Sequence, residues 1–220
     1  ADPRLQHALT LAVDAFGNVL KSAAVGYGRR ASPLGQPWDR ARQTTTLVTY
    51  TENDVTLPLD DPAAHPGDHR TPLPAESRTY ELTGGAPAPD ARRPPARPPA
   101  GRAAATPIPY EQSPTAGQLE KRLIERVRTL YRADDLSALL PPRQVGRLAL
   151  PGETIKLALT PGLLAQVFSR DGQPLLPADP TALLPGQGEA GGGYAALDGG
   201  WWVPSGRVFY HPQAVAAAAE

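Results

Sequence analysis

The residues able to do chemistry are few and scattered. Histidine stands at His7, His65, His69 and His211, and none of these falls in an HExxH or another metal-ligand spacing. His65, Asp68 and His69 are near enough in sequence to seed a metal site, but they lie in a proline-punctuated loop where solvated side chains are the simpler expectation. The acidic pairs Asp60-Asp61 and Asp134-Asp135 invite comparison with the carboxylates of glycoside cleavage. Adjacent strand residues point to opposite faces, so neither pair can flank one bond. At Asp134-Asp135 a helix start, where carboxylates meet the positive end of the dipole, is expected instead. Ser205, in Pro204-Ser205-Gly206, lacks the glycine pattern of a nucleophile elbow, and Ser32 sits in a loop. Gly84-Gly85 and Gly191 to Gly193 do not separate a strand from a helix, so no phosphate cradle is expected. The sequence therefore nominates no catalytic residue, no metal ligand and no cofactor site.

Two other groups could bind rather than react. Arg92, Arg93, Arg97 and Arg102 form a basic cluster without interleaved aromatics, a weak signal for nucleic acid. Trp201-Trp202 read first as an anchor in a wall, since burying one indole is worth up to about 4–6 kcal/mol by area. The alternative is an aromatic platform for sugar, which would make the chain a secreted or surface carbohydrate-binding or adhesin β domain.

The elements that must position these residues are mostly strands. Leu9 to Arg30 alternates on both sides of Asp14-Ala15-Phe16-Gly17-Asn18, a loop of hairpin length in which Gly17 and Asn18 tolerate positive φ. Ala31 to Arg42 is polar and turn-rich, with Pro33, Gly35 and Pro37 as punctuation. Thr44 to Glu52 is almost wholly β-branched or aromatic and predicts a third strand, and Glu76 to Thr83 a fourth.

Between Thr115 and Arg132, Leu119, Leu123, Val127 and Leu130 recur at helical spacing. Arg122 with Arg126 and Arg128 with Arg132 would be like charges four apart on such a helix. The stretch Val127 to Arg132 also echoes Ser77 to Leu82, and a strand over Leu123 to Tyr131 is expected. Ala133 to Leu140 predicts one or two turns of helix stopped by Pro141-Pro142. Glu153 to Leu159 predicts a strand, Pro161 to Phe168 a short helix opened by its proline, and Val208 to Tyr210 a final strand after a Pro204-Ser205-Gly206 turn.

Composition agrees with a β protein rich in loops. The 27 prolines and 21 glycines in 220 residues exceed what a helical bundle tolerates. Twenty-two basic residues balance twenty-two acidic ones, so no global charge favours nucleic acid or an anionic membrane. Cysteine is absent, which excludes disulfides and thiolate metal sites. No apolar run is long enough to span a membrane and no signal peptide opens the chain. Methionine is absent even at position 1, and a piece of a longer polypeptide is expected.

The blocks VDAFGNVLKSAAVGYGRR, QTTTLVTYTEND, HRTPLPAESRTYELTG, LEKRLIERVRTLYRADDLSALLP, TIKLALTPGLLAQVF and WWVPSGRVFY together resemble, in order, the middle region of the B component of bacterial Tc insecticidal toxin complexes, a family related to RHS or YD-repeat proteins. The resemblance implies a mainly β fold of antiparallel strands and hairpins forming part of an RHS-like shell wall, with one or two short helices and long Pro/Gly-rich loops. Composition sets a flexible Pro/Ala/Arg-rich insertion at 86–107 between β-hairpins of the shell segment at 1–85 and a second shell part at 108–220. The resemblance also implies a non-catalytic role in enclosing the toxic end of the C component, with the A component engaged through another part of the parent protein. A secreted complex is implied, with no nucleic acid partner and no membrane insertion by this segment. The Ala86 to Ala105 tract and the Gly186 to Gly193 loop depart from the family pattern.

Overall fold

The computed structural model describes residues 4–60, 63, 66–84, 105–185 and 191–211. Asp61, His65, Gly85, the arginines of the Pro/Ala/Arg tract and the start of the Gly186 to Gly193 loop lie outside the described residues. Along the chain come β1 (Gln6–Val13), β2 (Val19–Gly26), α1 (Pro37–Thr44), β3 (Leu47–Val55), β4 (Leu59–Asp60), β5 (His69–Arg70), β6 (Pro74–Thr83) and β7 (Thr106–Ile108). They are followed by β8 (Glu120–Tyr131), β9 (Pro151–Leu159), α2 (Pro161–Val167), β10 (Ser169–Arg170), β11 (Gln173–Pro174), a 3-10 turn at Pro180–Ala182, β12 (Ala195–Leu197) and β13 (Gly200–Arg207). The fold is mainly β, as expected. The chain divides into two compact units, residues 1–52 with 78–124 and residues 53–77 with 125–220.

In the first unit the expected hairpin forms. The Asp14 carboxylate accepts the backbone N–H of Phe16 at 2.9 Å and of Asn18 at 2.8 Å, and Gly17 takes φ +86°. An aspartate closing its own turn in this way fixes where the strands reverse. β2 pairs antiparallel with β1 and β3, placing Ala23 opposite Tyr50 and Val25 opposite Val48. Period-two alternation puts these four on one face, and all are buried. Val25, Val48 and Tyr50 join Leu82 and Ala105 in the unit's core, with Leu11, Tyr27, Tyr80 and Leu119 packed against them. β7 runs parallel to the start of β8.

One element of this unit departs from expectation. Pro37 to Arg42, expected as turn-rich loop, and Thr44, expected to open the third strand, belong to α1, and that strand begins only at Leu47. Pro37 opens the helix, with Asp39 in its first turn and Arg42 in its last, where each suits the helix dipole. The proline read as punctuation is thus a helix start. Gly28 follows β2 closely against the end of α1: a Cβ there would stand 2.0 Å from the Thr44 carbonyl oxygen.

In the second unit the strand order is β6, β8, β9, β13, β12. β9 pairs antiparallel with β8 and β13, and β13 with β12. The strand expected at Leu123 to Tyr131 is present within β8, against the local helical spacing. α2 forms as expected, with Thr160 Oγ1 accepting the Leu163 N–H at 3.1 Å as its N-cap.

Two expectations fail here. Ala133 to Leu140 is not helical: Leu136 takes φ +63°, and the Asp135 carboxylate accepts both the N–H and the hydroxyl of Ser137. Asp134 accepts the N–H of Arg147 and of Leu148, each at 3.0 Å. Both carboxylates bind backbone in turn conformations, the competition that makes aspartate a poor helix residue. The second failure is at the C-terminal end. Pro204-Ser205-Gly206 does not turn; β13 runs through it to Arg207, with a register shift between Pro204 and Gly206. A bulge accommodates a proline that has no N–H for the ladder. Val208 to Tyr210 is then not a strand, although Val208 N–H donates to Gly152 O at 2.9 Å and the Tyr210 hydroxyl to Pro151 O at 2.7 Å.

Candidate functional site

Among the described residues, the side chains weighed for chemistry are dispersed and engaged with neighbours. His7 Nδ1 lies 3.2 Å from the Tyr27 hydroxyl, with the rings edge to face at 5.4 Å. His69 Nδ1 is 3.8 Å from the Asp60 carboxylate at an exposed position. Asp68 is 3.5 Å from Arg147. Ser32 Oγ donates to Gln43 Oε1 at 2.8 Å and Ser205 Oγ to Thr154 O at 3.2 Å, so neither hydroxyl faces a histidine. Among the described residues no three His, Asp or Glu side chains gather in a way that could hold a metal ion. Nor, among them, is any helix long and apolar enough to cross a membrane.

The tryptophan pair overturns the sugar-platform reading. Trp202 is 0% exposed and Trp201 8%, so neither indole offers a face to a glycan. They sit at the start of β13, where Leu157 and Leu159 of β9 face Trp202 and Trp201 across the ladder. On the other side Ala195 and Ala196 of β12 are their partners. The Trp202 indole N–H donates to Leu197 O at 2.8 Å, which answers its one polar atom.

What surrounds Trp202 is a charged cluster. The guanidinium carbons of Arg128 and Arg126, alternate residues on β8, stand 4.7 and 5.3 Å from the indole centroid. Arg126 donates to both oxygens of Glu76 on β6, at 3.1 and 3.3 Å. Arg128 bonds Glu76 and Asp198, and the Arg126 guanidinium approaches Asp198 to 3.6 Å. Two arginines and two carboxylates thus neutralise one another over an aromatic ring. Burial acts to raise the Glu76 pKa, but the hydrogen bonds and charges of Arg128 and Arg126 outweigh it and leave it lowered. At Asp198 the bond from Arg128 dominates and lowers the pKa. Burial opposes the Arg128 charge, yet its two carboxylate partners raise its pKa on balance.

The first unit carries a second cluster. Lys121 Nζ lies 4.7 Å from the Tyr80 ring centroid and 5.8 Å from that of Tyr50. Its charge meets Glu52 Oε1 at 3.3 Å, and Glu52 Oε2 accepts the Tyr80 hydroxyl at 3.3 Å with Arg78 Nε 3.8 Å away. Burial first, and then the Glu52 charge, push the Tyr50 phenol up to about 12. Glu52 itself is desolvated, but Lys121 outweighs this and lowers its pKa. Arg122 adds a fork onto Glu81 and stacks 5.7 Å from the Tyr110 ring centroid.

Sequence reasoning missed the charged members of both clusters, because the hydrogen bonds that tie them span 28 to 70 residues. One local signal was available. Asp198-Gly199 takes φ +50° and +72° between the paired Leu197 and Gly200, the two-residue turn that an Asp-Gly step favours in a hairpin. That turn brings Asp198 back to the arginines.

With this geometry in hand, likeness to other proteins can be placed on it. Residues 1–63 match the family model of the insecticide toxin TcdB middle/C-terminal region. No curated protein sequence matches the chain. Among solved structures, a chain of the crystal structure of TcdB2-TccC3-Cdc42 matches 97% of this chain at 18% identity with a TM-score of 0.55. This chain spans 10% of that one's length. In fold, over 97% of its length, the chain is similar to a chain of that structure, and in sequence residues 1–63 are similar to the insecticide toxin TcdB middle/C-terminal region.

Proposed function

We propose that the chain is a non-catalytic structural segment of an insecticidal toxin complex B component, building part of the β-shell that encloses and helps deliver the toxic C-terminal part of the C component. The observation that carries this reading is the fold likeness, over 97% of the chain, to a structure whose name pairs a TcdB with a TccC. The two clusters fit the role physically. A wall must resist opening, and each cluster ties strands together with ion pairs and with cations that rest on aromatic faces. In this reading the C component co-forms the shell, and the A component engages another part of the parent protein. The complex is secreted, and this segment inserts into no membrane and binds no nucleic acid. The Pro/Ala/Arg-rich stretch at 86–107 is an insertion between two wall parts. Electron microscopy of the full parent protein with its C component tests it. A hollow particle whose wall density accepts this fold is expected, and a solid globule without a cavity contradicts the proposal.

A further inference from the structure

The sequence holds two Asp-Gly steps, Asp171-Gly172 and Asp198-Gly199, and both lie in the second unit. Each is the two-residue turn of a hairpin. Arg170 pairs with Gln173 around the first, and Leu197 with Gly200 around the second. The backbones match, with φ +51° and +77° at Asp171 and Gly172, and +50° and +72° at Asp198 and Gly199. Neither glycine N–H has a hydrogen-bond partner among the described residues. What differs is the carboxylate. Asp198 accepts a hydrogen bond from the Arg128 guanidinium, with that of Arg126 3.6 Å away. Asp171 is exposed, and its carboxylate has no hydrogen bond or ion pair among the described residues. Exposure alone does not separate the two, since the Asp198 side chain is itself 46% exposed.

An aspartate followed by glycine carries its own electrophile and nucleophile. The glycine nitrogen attacks the aspartate Cγ, forming the N–Cγ bond of a five-membered succinimide and expelling a carboxyl oxygen as water. Glycine, with no Cβ, hinders this attack least. Water then opens the ring. Where it breaks the bond from the ring nitrogen to the main-chain carbonyl carbon, the chain is left running through Cβ and Cγ as isoaspartate. One water leaves and one enters, so no atom is gained or lost and no co-reactant is needed. We propose that Asp171 is a site of this spontaneous modification, and that Arg128 holds the twin step at Asp198 against it. The guanidinium acts in two ways. It ties down the carboxylate that must swing towards the Gly199 nitrogen, and it keeps that group ionised, the form that cannot lose its oxygen as water. The lowered Asp198 pKa has the same cause. The two turns also differ in what the change would disturb. Isoaspartate adds a methylene to the main chain. At Asp171 this falls on a ladder of two residue pairs, β10 with β11, whereas at Asp198 it would pull a carboxylate from the arginine network.

The test uses the full parent protein, kept warm at neutral pH in heavy-oxygen water, sampled over weeks, digested and read by mass spectrometry. Ring opening leaves a heavy oxygen on the aspartate, and the isoaspartate peptide elutes apart from its parent. Peptides carrying Asp171 should gain label about tenfold or more faster than those carrying Asp198, a factor that corresponds to about 1.4 kcal/mol on the barrier. Asp171→Glu, which would need a six-membered ring, should abolish labelling at that position. Arg128→Gln should raise labelling at Asp198 towards the Asp171 rate. If that variant unfolds, the parent protein in urea takes its place: with both turns melted and Arg128 withdrawn, the two steps should label at similar rates. The proposal is overturned by equal rates in the folded protein, by labelling that is slower at Asp171 than at Asp198, or by a difference that survives in urea and so belongs to the flanking sequence.

Discussion

The two units solve the same problem with different chemistry. In the first, one lysine on β8 is set against a tyrosine pair and a single carboxylate, Glu52. In the second, two arginines on β8 are set against one indole and two carboxylates, Glu76 and Asp198. An ammonium is a compact point charge that keeps its strength with one partner, whereas a guanidinium forks and can bridge two. The lysine cluster therefore converges on one carboxylate, Glu52, while the arginine cluster is a network in which two arginines share two carboxylates. Removing one member of a network leaves more than one charge unanswered. The second cluster should accordingly be the more costly to break.

The largest expected effect is at the indole. Trp202→Ala should cost about 3–5 kcal/mol, the range for a buried aromatic, while Tyr80→Ala, at a half-buried ring, should cost about 1–2 kcal/mol. Denaturant midpoints of the two variants check the order, and equal losses would erase the distinction.

Next comes the carboxylate. Glu76→Gln leaves Arg126 and Arg128 side by side over the ring with Asp198 as their one remaining carboxylate, and should cost about 2–4 kcal/mol, after allowance for partial exposure of Arg126. Glu52→Gln, which removes the one carboxylate that Lys121 and the more distant Arg78 share, should cost about 1–2 kcal/mol. Chemical denaturation measures both. A Glu52 variant as damaged as the Glu76 variant would argue against the network.

Titration sharpens the same contrast. The Glu76, Asp198 and Glu52 pKa values are all lowered in the fold, so their stabilisation is present above the ordinary carboxylate range and lost as pH falls through the folded values. Acid should weaken both units, and Glu76→Gln should flatten the acid limb more than Glu52→Gln. In alkali the sign reverses. Tyr50, pushed up to about 12 by burial, contributes stability that is intact below the ordinary tyrosine pKa of about 10 and lost as pH rises towards its folded value. Ultraviolet absorbance of tyrosinate, compared between the parent chain and Tyr50→Phe, should show the late-titrating phenol disappear. The smallest effect is at the turn: Gly199→Ala at φ +72° should cost about 1 kcal/mol, read as a shift in the thermal midpoint.

The division between what could and could not be read from sequence follows the range of the interactions. The β1–β2 hairpin was legible because its alternation and its Asp14 to Asn18 loop are local. The strand at β8 was legible only through its arginines: a helix would have stacked like charges, and the fold instead gives Arg122, Arg126 and Arg128 acidic partners on other elements. α1 was not legible because Pro37 serves a turn and a helix start equally well until the residues after it are placed. The helix expected at Ala133 failed because Asp134 bonds backbone at Arg147 and Leu148, contacts that no window around Asp134 contains. For the site, residue types correctly pointed away from the histidines, but the clusters around Trp202 and Tyr80 depend on which strands are neighbours. Trp202, read as an anchor, and the Asp198-Gly199 step are the parts of them that local sequence announces.

The claim that these strands form a wall can be tested on two adjacent residues, because a chain without cysteine accepts single-cysteine probes cleanly. Ile124 and Glu125 are both exposed and consecutive on β8, so they point to opposite faces. Ile124→Cys and Glu125→Cys, made separately in the full parent protein with any cysteine outside these 220 residues replaced, should both react with a membrane-impermeant maleimide before the C component is added. After assembly one should remain reactive and the other become protected, because one face of a shell looks inward. Equal labelling of both positions in the assembled complex would contradict the account.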